Sequence, residues 1–176
     1  LFNVMHKIFY LKLHNFLLQS LDEKSFKNYI FYQSKGGNKI AHTMVQQIHL
    51  EQVQESFDFM LKIISESRKK LLKDFIFCEN DSGQMFLHLL TEGNQGIELI
   101  ERIWKMIEVH LNAEEQKKLL THVDKSKSNI LQSCSYRHEE TFRFFYQLIK
   151  QKMTKSELKV FLTFSKGSRG VFHSAI

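Results

Sequence analysis

Apolar residues recur at i, i+3, i+4 and i+7 in three places along the chain: Phe57, Met60, Leu61 and Ile64; Ile100, Ile103, Trp104 and Ile107; Phe142, Phe145, Tyr146 and Ile149. That spacing puts four side chains on one face of a helix, so each stretch is predicted to be an amphipathic helix. An apolar doublet follows each stripe: Phe75-Ile76, Leu119-Leu120 and Phe161-Leu162, with an earlier one at Tyr29-Ile30. Asp22, Asn112 and Thr154 each stand seven residues before their doublet, and Glu115 and Glu157 follow two of them at the third position. This is capping-box spacing, so a short capped helix is predicted to carry each doublet. In the second case Arg68 holds the cap position, and Ser65 or Ser67 offers the better start. The first stretch is shorter, and Leu13, Phe16 and Leu17 are expected to form its stripe.

Each doublet precedes a recurring marker. The markers end in His6, His42, His88, Gln132 and His173, in steps of 36, 46, 44 and 41 residues. The four full forms read Asn3-Val4-Met5-His6, Lys39-Ile40-Ala41-His42, Met85-Phe86-Leu87-His88 and Asn129-Ile130-Leu131-Gln132; Gly170-Val171-Phe172-His173 opens a fifth. Glycines sit just before several of them: Gly36-Gly37, Gly83, and Gly167 with Gly170. Each unit therefore reads as turn, helix, helix, short capped helix. A helical pair of this size cannot bury both its faces, and stacking neighbours would bury a continuous core. The fold class expected is all-α, an α-solenoid of stacked helix-turn-helix repeats with an extra short helix per repeat. It would form a single repeat domain over 1–176, with approximate repeats 1–34, 35–79, 80–123 and 124–165 and the start of another at 166–176.

Gly37-Asn38-Lys39-Ile40-Ala41-His42 and Gly83-Gln84-Met85-Phe86-Leu87-His88 resemble the ankyrin-repeat signature, in which a Gly-x-Thr-Pro-Leu-His turn opens the first helix. The chain departs from it in several ways. The Thr is Lys39, Met85 or Asn129, the Pro is Ile40, Phe86 or Ile130, and Lys127 and Gln132 replace the Gly and His of one unit. The unit is also longer than the usual one. The resemblance implies a binding scaffold that engages partners through turn tips and the first-helix face. The matching positions are Asn38, Lys39, Gln84, Lys127, Ser128 and Arg169. It also implies that the marker histidines hydrogen-bond within and between turns.

Composition narrows the alternatives. There is no proline to interrupt helices. The net charge of +6 comes from basic residues dispersed among 19 acidic ones, and the densest run, Arg68-Lys69-Lys70 with Lys73, reads as a solvated helix face. No apolar run reaches the ~18–20 residues of a membrane span. Cys78 and Cys134 are too few for a disulfide framework and read as buried thiols of a reducing compartment, which points to an intracellular setting, cytoplasmic or nuclear. The Asn80-Asp81-Ser82 sequon carries little weight against that.

Candidate chemistry is sparse. The marker histidines lie one repeat apart, too far to share a zinc ion, and His42 and His49 lack an evident third ligand. Glu114-Glu115 and Glu139-Glu140 are adjacent on helices and point in different directions. No nucleophile elbow, phosphate loop or dinucleotide fingerprint is present. Trp104 falls in a packing stripe. The expectation is a non-catalytic protein-protein interaction scaffold without cofactor or metal, forming part of a longer array, with another protein as partner. The alternatives are a basic nucleic-acid-binding helical solenoid, or the targeting part of a larger effector or toxin.

Overall fold

The computed structural model describes residues 16, 20–46, 69–93, 96–135 and 139–163. Among these residues the protein is all-helical: α1 (Glu23–Ile30), α2 (Ile40–Val45), α3 (Lys69–Ile76), α4 (Phe86–Glu92), α5 (Ile97–Glu108), α6 (Ala113–Thr121), α7 (Ile130–Ser135), α8 (Glu139–Lys152) and α9 (Lys155–Thr163). Among the described residues no strand forms, and one isolated antiparallel bridge pairs Val123 with Asn129.

The three capped helices start where side-chain chemistry satisfies their first amides. Asp22 Oδ1 accepts from the Ser25 amide at 2.8 Å. Asn112 and Glu115 exchange bonds of 2.9 and 3.0 Å across the start of α6. Thr154 and Glu157 do the same at the start of α9, at 3.3 and 2.9 Å. Each arrangement satisfies donors that a helix cannot satisfy internally. The described part of α3 begins at Lys69, and Arg68, Ser65 and Ser67 lie outside the described residues.

The stripes face the core. In α5, Ile100, Ile103, Trp104 and Ile107 are all buried. In α8, Phe145 and Ile149 are buried, whereas Phe142 and Tyr146 are half-buried and stack on each other with ring centroids 6.2 Å apart. The stripe Phe57, Met60, Leu61 and Ile64, and the residues Leu13 and Leu17, lie outside the described residues. Phe16 is 66% exposed, so the described burial of the first stretch falls instead to Phe26 and Ile30 of α1.

Helices α2, α4 and α7 each begin one residue after Lys39, Met85 and Asn129, and they pack side by side in a row. Ala41, Met44 and Val45, then Phe86, Leu87 and Leu90, then Ile130, Leu131 and Cys134 make that row a continuous apolar seam. Helix α8 lies against α7, α5, α6 and α9. Gln116 Nε2 donates to the Glu108 and Leu111 carbonyls, at 3.1 and 2.8 Å, and so closes the corner between α5 and α6. Two ion pairs run between successive doublet-bearing helices, α3 to α6 and α6 to α9: Lys73 with Glu115, and Lys117 with Glu157 at 2.7 Å. Such surface pairs contribute little stability, and the helices are held chiefly by their apolar faces.

Gly37, Gly83 and Lys127 occupy one left-handed position in three successive turns, with φ of 72°, 73° and 64°. At Gly37 a Cβ would also meet Asp81, whose backbone nitrogen would lie 2.7 Å away. Lys127 is exposed and adopts the conformation at the steric cost that glycine avoids. Lys127→Gly is therefore expected to raise unfolding stability by about 1 kcal/mol in denaturant melts. Gly37→Ala is expected to lower it by at least as much, because strain and the Asp81 clash add.

Candidate functional site, the stacked turns

The turns 34–38, 80–84 and 124–128 share one hydrogen-bond pattern. In each, the fourth amide donates to the first carbonyl: Gly37 to Ser34 at 3.0 Å, Gly83 to Asn80 at 2.9 Å, Lys127 to Asp124 at 2.9 Å. The first amide then donates to the fifth carbonyl: Ser34 to Asn38, Asn80 to Gln84 and Asp124 to Ser128, at 2.9, 3.0 and 2.9 Å. The first residue is always one whose short polar side chain can bond nearby backbone. Ser34 Oγ donates to the Asn38 carbonyl at 3.1 Å, Asn80 Oδ1 accepts from the Ser82 and Gln84 amides, and Asp124 Oδ1 accepts from the Ser128 amide at 2.8 Å.

Neighbouring turns are joined directly. The Asp81 amide donates to the Gly36 carbonyl at 3.1 Å, and the Lys125 amide donates to the Ser82 carbonyl at 2.9 Å. These are equivalent atoms, one unit on. Lysine side chains add a second link: Lys39 Nζ donates to the Glu79 carbonyl, and Lys125 Nζ to the Asp81 carbonyl at 2.7 Å. Asn80 Nδ2, the atom that glycosylation of this sequon would modify, donates to Asn38 Oδ1 at 3.0 Å.

The markers anchor each turn to its helix. His42 Nδ1 accepts from the Lys39 amide at 3.2 Å, and its Nε2–H donates to the Gln84 carbonyl of the next turn at 2.9 Å. Gln132 performs the first of these jobs without an imidazole: Oε1 accepts from the Asn129 amide at 3.0 Å, and the Gln132 amide returns a bond to Asn129 Oδ1 at 3.1 Å. His88 differs. It is 1% exposed, and neither ring nitrogen has a hydrogen-bond partner among the described residues. Its ring meets His122 edge-on, with centroids 5.5 Å apart. His122 stands two residues after its doublet, as Cys78 does, and Cys78 Sγ lies 4.0 Å from His42 Nδ1. The Nε2–H of His122 donates to the Gly83 carbonyl at 2.8 Å.

Burial governs the titration of these groups. Desolvation, with His122 as a lesser cause, holds His88 down to about 4. Desolvation also lowers His42. Burial pushes the Cys78 thiol up to about 11 and Cys134 to about 12, so both stay protonated, which is the opposite of what a nucleophilic thiol requires. Among the described residues no three His, Cys, Asp or Glu side chains are placed to hold a metal ion, and no helix is long and apolar enough to cross a membrane.

Of the positions singled out from the sequence, Lys127 is exposed. Asn38, Lys39, Gln84 and Ser128 are half-buried, and Arg169 lies outside the described residues. The side chains of Asn38, Lys39 and Gln84 bond other residues of the turns and first helices: Asn38 with Asn80 and Gln46, Lys39 with Glu79, and Gln84 with Asn80 and Glu92. The outward positions are the second and third of each turn: Lys35 and Gly36, Asp81 and Ser82, Lys125 and Ser126. Sequence reasoning missed them because the marker ends at the helix. The signal was the Ser/Asn/Asp that opens each turn four residues before Asn38, Gln84 and Ser128.

Since His88 is held neutral in the fold, the unfolded chain takes up its proton first as pH falls. Its contribution is intact above about 6.5 and is lost as pH drops towards about 4, a loss of order 3 kcal/mol. His88→Gln, which installs the residue found at 132, is expected to fold and to flatten the pH dependence of stability between those limits. Urea melts at several pH values check this. Comparison with family models, with curated proteins and with solved structures finds no match to this chain.

Proposed function

We propose that the protein is a non-catalytic protein-binding scaffold, an α-solenoid of long ankyrin-like repeats. The observation that carries this reading is the direct backbone bonding of equivalent turn atoms, Asp81 to Gly36 and Lys125 to Ser82. It holds the exposed tips in a fixed row at a cost already met by folding. A partner meeting that row orders little on binding, which favours affinity. The tips differ in chemistry: Lys35 and Gly36, then Asp81 and Ser82, then Lys125, Ser126 and Lys127. A surface of mixed charge suits one particular protein surface better than the uniformly negative backbone of a nucleic acid.

The residues with shifted ionisation support the same reading. His42, His88, Cys78 and Cys134 are buried at the packing seam and held in their neutral forms. Catalytic groups are instead tuned towards working pH and open to a cleft.

The combined variant Lys35→Ala, Asp81→Ala, Lys125→Ala and Lys127→Ala should keep the helical circular dichroism of the native chain. It should lose at least tenfold of the binding to any protein that the native chain captures, measured by quantitative affinity capture. Equal capture by both chains would refute the tips as the binding row. Salt-sensitive binding of a mixed-sequence oligonucleotide by the native chain, with no protein captured, would favour a nucleic-acid ligand instead.

A further inference from the structure

Of the three marker side chains on α2, α4 and α7, His88 alone is titratable and makes no hydrogen bond among the described residues. It stands at the join between its own unit and the next. Helix α7 packs on α4, and the segment 122–124, which leads from α6 into the next turn, meets the His88 ring. His122 lies edge-on to it, with centroids 5.5 Å apart. A buried polar group without a partner destabilises a fold, and a buried charge without one does so far more. The arrangement therefore holds only while His88 is neutral.

A charged His88 would find little support. His122 and Asp124 are the titratable groups that act on the ring. Glu79 Oε1, 3.7 Å from His122 Nε2, is placed to pair with a protonated His122, and a charge there opposes one on His88. Asp124 favours the charge, but its Oδ1 already accepts from the Ser128 amide. The backbone of Met85 and of His122 also favours it, without reaching hydrogen-bond geometry. Helix α7 has no charged residue, and α2 brings only His42, whose ring is bonded to the Lys39 amide and the Gln84 carbonyl. Desolvation outweighs every favourable contact. Taking up a proton therefore requires water at a ring that is 1% exposed, and the covering segment must move to admit it.

We propose that this join is a pH-sensitive latch: on acidification residues 122–124 lift from His88, and the turn 124–128 parts from the turn 80–84 while the turns 34–38 and 80–84 stay bonded. The bonds lost are those from the Lys125 amide to the Ser82 carbonyl and from Lys125 Nζ to the Asp81 carbonyl. The row of tips is then broken between Ser82 and Lys125. In a stack of units each neighbour interface adds its own stability, so one join can open while the next holds. With the ring titrating near 6.5 when wet and at about 4 when covered, the open fraction rises on the order of thirtyfold from about pH 7.5 to about pH 5. The inference rests on the scaffold reading only for its consequence, release of a partner that spans the break.

The test is amide exchange of the native chain, followed by NMR from about pH 7.5 to about pH 5, with each rate divided by the intrinsic rate at that pH. Protection of the Lys125 amide should fall on the order of thirtyfold. Protection of the Asp81 amide, which bonds Gly36 across the preceding join, should fall at least fivefold less. The Cε1–H signal of His88 should titrate with the midpoint of the Lys125 loss. His88→Gln should abolish that loss, and His42→Gln should leave it in place. Constant protection at Lys125, an equal fall at Asp81 and Lys125, or a His88 ring that titrates without any change at Lys125 overturns the proposal. So does a fall that survives in His88→Gln or disappears in His42→Gln. None of these readouts needs a partner, so they stand apart from the fate of the tip reading.

Discussion

Helices of six to nine residues are unstable alone in water, since the cost of nucleating each is recovered over too few hydrogen bonds. Seven of the nine described helices fall in that range. Their persistence depends on the apolar seam they share, in which α2, α4 and α7 lie in a row and α8 crosses onto α5, α6, α7 and α9. Everything else is secondary to that burial. Caps set where helices begin, and bonded turns set the spacing of neighbours.

That hierarchy explains why sequence revealed some features and concealed others. A capping box needs only residues three apart, so Asn112 with Glu115 and Thr154 with Glu157 could be read directly. A stripe needs one helix, and the Ile100 to Ile107 face was equally plain. Gln132 could be aligned with the histidines because an amide oxygen accepts the same backbone bond as Nδ1. What stayed hidden needs two units at once. The pairing of Lys73 with Glu115 and the bond from Asp81 to Gly36 both join residues some forty positions apart. Which of Lys35, Asn38 and Lys39 faces outward is likewise decided only by the turn conformation.

Function follows from geometry in a limited way. Buried imidazoles and thiols serve packing and turn closure here, and what faces solvent at the turns is a row of dissimilar tips. On the proposed function the tips would present one epitope on the packed helices beneath them.

The amides of Asp81 and Lys125 provide the most direct test, because both residues are solvent-exposed and yet their N–H groups point into the neighbouring turn. Native-state hydrogen exchange measured by NMR should find both protected well beyond ordinary exposed turn amides, with protection lost only as neighbouring units separate. Exchange of either amide at the unprotected rate would mean that the turns do not bond to one another, and the stacked account would fail.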